Sequence, residues 1–106
     1  MSQTSLFVKL TLQPSKRDEV FAALEEMLPT VEQEEGTLVY SFHRDAGDEN
    51  VIWIFELYSD GDALQAHSSS PALGELFGKI GPHFADAPLM VMATPGARGK
   101  GLPKNS

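Results

Sequence analysis

The chain has 106 residues, enough for one domain with one modest core, and carries a formal charge of −7 from 15 acidic and 8 basic side chains. It has no cysteine, which excludes a disulfide framework, a thiolate nucleophile and any cysteine-ligated metal. Arg98, Lys100 and Lys104 all follow Thr94, where no acid occurs, so the rest of the chain is more acidic than the total; with no basic stripe interleaved with aromatics, nucleic-acid binding is not expected.

No run approaches the length of a membrane span, and the first residues lack the basic and apolar regions of a signal peptide. The expectation is a cytoplasmic protein with no membrane partner, its mature chain starting at or near Met1.

Leu6, Val8, Leu10 and Leu12 alternate with Phe7, Lys9 and Thr11, the period of a half-buried first strand. Gln13-Pro14 breaks it, and Ser15 followed by Asp18 has the spacing of a capping box at a helix start. Val20, Phe21, Leu24, Met27, Leu28 and Val31 then recur at helical spacing. Pro29 lies inside that stripe and removes the bond to the Glu25 carbonyl, so the regular helix should kink or end there, with Gly36 as the final stop.

Leu38, Tyr40 and Phe42 alternate with Val39, Ser41 and His43, and a polar segment from Asp45 to Asn50 separates them from the apolar run Val51 to Tyr58. That pattern is a β-hairpin. Ser59 or Asp60 can cap a short helix through His67, and Ser70-Pro71 opens another with Pro at the favoured first position. Leu73, Leu76, Phe77 and Ile80 give it an apolar face, Gly81-Pro82 ends it, and Leu89 to Ala93 form the last strand.

The predicted fold is α+β: a ferredoxin-like antiparallel sheet in the order β-α-β-β-α-α-β, with its helices on one face. Residues 1–93 form the domain and residues 94–106, rich in turn formers and without periodicity, a flexible tail. The third strand is apolar on both faces, since Val51, Trp53, Phe55 and Leu57 point one way and Ile52, Ile54 and Tyr58 the other, with Glu56 the one polar residue. A strand of that kind needs cover on both sides. The chain has no further helix to supply it, so a homodimer with two sheets face to face is expected.

His67 lies four residues after Ala63 and three after Leu64, on the apolar side of its helix, and histidine is the residue type best suited to act as a general base near neutral pH. Its alternative role is structural, capping its own helix or bonding the serines that follow. Glu56 interrupts an apolar strand face, where an unpaired carboxylate is costly; it is either a second base or the acceptor of a structural hydrogen bond. Trp53, Tyr58, Phe42 and Phe77 are the candidate walls of an aromatic pocket, although core packing also explains each. His43 and His83 are expected to face solvent, and no paired histidine spacing suggests a metal site. Glycines after Thr94 do not form a phosphate loop, because no helix follows them.

Gly36-Thr37-Leu38-Val39-Tyr40, Glu56-Leu57-Tyr58-Ser59-Asp60, Ala63-Leu64-Gln65-Ala66-His67 and Ser70-Pro71 together resemble the antibiotic biosynthesis monooxygenase (ABM) family over about residues 5–93. The resemblance implies a dimeric α+β barrel. It also implies an oxygenase without flavin or metal, in which a small aromatic quinol- or anthrone-type substrate is deprotonated and its anion gives an electron to dioxygen. His67 is then the proton acceptor, Glu56 its orienter or a second base, and Trp53 and Tyr58 substrate walls. The haem-degrading branch of similar proteins uses a first-strand asparagine and a helical tryptophan and histidine. Here Phe7 and Lys9 stand on the strand and His67 and Phe77 at the helical positions, which does not match. Two other roles remain open: a non-catalytic dimer that binds a small molecule, and a cofactor-free isomerase in which the same pair moves a proton between carbons.

Overall fold

Residues 4–11, which alternate, and residues 51–58, which are apolar on both faces, form the two middle strands of a single sheet. The computed structural model, which describes residues 2–103, has strands β1 (Thr4–Thr11), β2 (Thr37–Arg44), β3 (Val51–Tyr58) and β4 (Leu89–Ala93) in the order β2-β3-β1-β4. Every neighbouring pair is antiparallel. Met1 and residues 104–106 of the expected tail lie outside the described residues. From 94 to 103 there is no helix or strand, and the Pro103 carbonyl accepts a hydrogen bond from Gln3 Nε2 at 3.3 Å.

The helices are α1 (Arg17–Glu26), α2 (Leu28–Val31), α3 (Gly61–Ser68) and α4 (Pro71–Ile80), the last followed by a 3₁₀ turn at Gly81–His83. Pro29 acts as its position requires: α1 ends at Glu26, Met27 N bonds back three residues to Leu24 O at 3.1 Å, and α2 begins with the proline in its first turn. Among the described residues no helix is long and apolar enough to cross a membrane.

Two local expectations are corrected. Ser15 does not cap α1; it stands at φ 68°, the cap position is Lys16 with no side-chain bond, and Asp18 pairs instead with Arg44 at 3.2 Å. The start of α1 is held by Arg17, whose Nη1 donates to the carbonyls of Asp45 and Asp48 at 3.1 and 3.0 Å. Gly36 is not a helix stop either, since α2 is already over at Val31. Its lack of a side chain serves a close approach: a Cβ there would sit 2.4 Å from Ala63 Cβ, so α3 rests directly on the backbone at the entry to β2.

The other caps form as expected. Asp60 accepts from Ala63 N at 2.8 Å at the start of α3, and Ser70 accepts from Leu73 N at 3.2 Å at the start of α4. Val8, Leu10, Leu12, Ile52 and Ile54 on the helix side of the sheet pack against Val20, Leu24, Leu76 and Ile80 to form the core. The opposite face stays apolar and open: Phe7, Trp53, Leu89 and Val91 are 44%, 37%, 54% and 48% exposed. The sheet therefore has one covered and one bare apolar face.

Candidate active site

The antiparallel registers set Tyr40 of β2, Glu56 of β3, Leu6 of β1 and Met92 of β4 in one row across the helix side of the sheet. Tyr58 follows Glu56 by two residues and so shares its face. Above this row lies α3, lowered onto the sheet by the Gly36–Ala63 contact, with His67 in its last turn and only 3% exposed. The turn between α2 and β2 brings in Glu34, fixed by Thr37, whose amide donates to the Glu34 carbonyl at 3.2 Å and whose hydroxyl donates to Glu34 Oε1 at 2.7 Å.

These placements build one polar cluster inside an apolar setting. His67 Nδ1 is 2.8 Å from the same Glu34 Oε1, and His67 Nε2 is 3.9 Å from Glu56 Oε1. Tyr58 donates its hydroxyl to Glu56 Oε1 in a short hydrogen bond. The rings of Tyr40 and Tyr58 flank the imidazole, with centroids 5.1 and 5.4 Å away. Glu34 Oε1 accepts from Thr37 and, as a carboxylate, is matched by a hydrogen on His67 Nδ1, while Nε2 is turned toward Glu56.

Burial pushes the Glu56 carboxyl above the usual carboxylate range; the Tyr58 hydrogen bond and the His67 imidazole oppose that, and Glu34 adds to it. Burial also raises the Tyr58 phenol, and the neighbouring Glu56 charge raises it further. Tyr40 is raised likewise, by burial first and then by Glu56 and Glu34. Both phenols stay protonated across ordinary pH, and Tyr58 serves as a donor to Glu56.

Beside the cluster is a cavity of about 210 Å³ whose polar lining includes Tyr40, Glu56 and His67 and whose apolar lining includes Leu73, Leu76, Phe77 and Met90. Of the residues named from sequence, His67, Glu56 and Phe77 meet there. Tyr58 acts behind the wall, as the donor to Glu56. Phe42 backs the site without lining it, its ring packed edge-on against Tyr40 at 5.2 Å. Trp53 does not join them. It lies on the bare face, its indole N–H donating to Asp45 Oδ1 at 2.6 Å, because residues 53 and 56 of one strand point to opposite sides.

Two residues of the site were not among the site residues named from sequence. Tyr40 was within reach of it, because hairpin pairing of Arg44 with Ile52 carries through to Tyr40 opposite Glu56. Glu34 had no local signal, being one acid among several in a turn. Of the other histidines, His43 is exposed and bonds Ser41 at 2.9 Å, and His83 pairs with Glu19 at 3.2 Å. Among the described residues no group of three or more histidine or acidic side chains is arranged to hold a metal ion.

A family model described as antibiotic biosynthesis monooxygenase matches residues 5–79. The chain belongs to the ABM family. Its fold agrees: a structure from Caulobacter crescentus CB15, described under the antibiotic biosynthesis monooxygenase name, superposes with a TM-score of 0.85 at 27% identity over 90% of this chain and 91% of that one. A second of that description, from Chloroflexus aurantiacus J-10-fl, gives 0.79 at 26% identity over 96% and 100%. Rv0793 from Mycobacterium tuberculosis gives 0.84 at 21% identity over 93% and 100%, a likeness of fold alone. No curated protein is matched by the chain. Membership in the ABM family supports a monooxygenase-like function, and the cluster of His67, Glu56 and Glu34 is where this member has groups able to move a proton.

Proposed function

We propose that this ABM protein is a cofactor-independent monooxygenase acting on a small phenolic or quinol-type aromatic. The observation that carries the proposal is the free Nε2 edge of His67, held by Glu34 on one side and set 3.9 Å from Glu56 Oε1 beside an apolar cavity. One hydroxyl oxygen can reach both atoms at ordinary hydrogen-bond length across such a gap. His67 takes the hydroxyl proton, and Glu56, whose neutral form burial favours, lies within reach of the resulting oxyanion.

The apolar walls keep water from competing for that anion and leave it electron-rich toward dioxygen. One oxygen atom enters at a ring carbon as the quinol becomes the hydroxyquinone, and the second leaves as water, so the substrate supplies all four electrons. Size narrows the class. An apolar cavity of about 150 Å³ takes benzene, so about 210 Å³ suits one or two fused rings better than a three-ring anthrone.

We also propose that two copies join through their bare faces, where Phe7, Trp53, Leu89 and Val91 stand exposed. The function is tested by oxygen uptake when a one- or two-ring quinol is added to protein freed of metal and flavin. Binding of the quinol with no uptake would mark a sequestering module instead, and turnover without oxygen an isomerase.

A further inference from the structure

His67 has two sides, and the substrate cavity touches one of them. On the other side is a separate recess of about 300 Å³ whose lining includes Glu34, Gly36, Ala63, Ala66, His67 and Ser70. Of the residues around the two spaces, His67 alone lines both. The imidazole is 3% exposed and Glu34 is 23% exposed, so the carboxylate is the more open end of the pair. Gly36, Ala63 and Ala66 keep the recess open because none carries a side chain larger than methyl.

We propose that Glu34 and this recess form a proton path from the buried imidazole to water, distinct from the route by which substrate arrives. It rests on the reading of His67 as the base for a hydroxylated aromatic. An N–H bond forms at Nε2 as the substrate O–H breaks; the Nδ1–H bond breaks as an O–H forms on Glu34; water in the recess then takes that proton. The other titratable groups facing the imidazole are Glu56 and Tyr58 from β3 and Tyr40 from β2, with Glu35 at the recess. None of them bonds Nδ1, which belongs to Glu34. A bound substrate covers the Nε2 side, so the Nδ1 side is the exit left. Its use matters to the chemistry, because an anion waiting for dioxygen lasts longer when its proton is not held next to it.

The test uses a nitrophenol, whose anion absorbs in the visible, mixed rapidly with protein in weakly buffered solution holding a pH indicator. In the parent protein one proton reaches bulk water for each bound anion formed, at the same rate. Glu34→Gln keeps a hydrogen-bond acceptor for Nδ1 but no proton acceptor; release should lag anion formation by at least about tenfold. Acetate or imidazole, small enough to enter the recess, should shorten the lag in proportion to concentration. Ala66→Leu, on the exposed side of α3, fills the recess while leaving the Glu34–His67 pair in place, and should produce the same lag. Release at the parental rate in both variants, or a lag that no small base shortens, overturns the path. If the parent protein itself leaves the bound probe as the neutral phenol, His67 is not the base and the path falls with it. An unlagged variant beside an ionising parent overturns the path alone.

Discussion

Glu56 holds its carboxyl where an ionised group is poorly solvated, and its surroundings only partly compensate. In the folded protein it keeps its proton to a higher pH than in the unfolded chain, whose reference value is 4.5. Above that value the folded form binds more protons than the unfolded one, so stability falls as pH rises through the window up to the folded pKa and is level beyond it. Glu56→Gln removes this loss and retains an oxygen for Tyr58. Melting curves across that window should show the variant gaining on the parent as pH rises, while its oxygenase rate drops; a constant difference in melting temperature would contradict the buried, proton-holding role. The same residues show how far sequence reached. Glu56 and His67 were legible, because a carboxylate on an apolar strand and a histidine on the apolar side of a helix each break a pattern. Glu34 was not, since only the docking of α3 against the turn before β2 gives it a partner.

At the scale of elements, the site depends on how closely α3 lies on the sheet. Hydrophobic periodicity and turn residues located the four strands and helices α1, α3 and α4, and Pro29 located the break after α1. What periodicity does not carry is the approach of one element to another. Gly36 has the look of a stop signal in sequence and is a contact in three dimensions, and Ser15 offers a cap that the Arg17 bonds to the hairpin loop make unnecessary. Trp53 shows the opposite lesson: strand alternation already separates residues 53 and 56, and the expected aromatic pocket overrode it. Gly36→Ala should force α3 away from β2, costing about 1–3 kcal/mol, or roughly 4–8 °C per kcal/mol in melting temperature for a domain of this size. His67 would move with its helix, so the variant should also lose oxygenase activity. Unchanged melting and activity would mean that α3 does not need the close approach.

For the whole molecule, one face of the sheet makes the core and the site, and the other is bare and apolar. Two copies joined through that face would shield the aromatic pair Phe7 and Phe55, 5.2 Å apart, together with Trp53, Leu89 and Val91. Light scattering at micromolar concentration should give the mass of two chains, and Phe7→Glu, which sets like charges against each other across the joint, should give the mass of one. A single-chain mass for the parent protein would contradict the joined faces. Pocket and face are on opposite sides of the sheet, so the chemistry can be tested apart from assembly. The direct measurement is oxygen consumption with a panel of one- and two-ring quinols in the presence of a chelator, parent against His67→Ala. The account predicts uptake by the parent and a loss of about 100-fold or more in the variant; no uptake with any quinol, or equal rates in the two proteins, would contradict it.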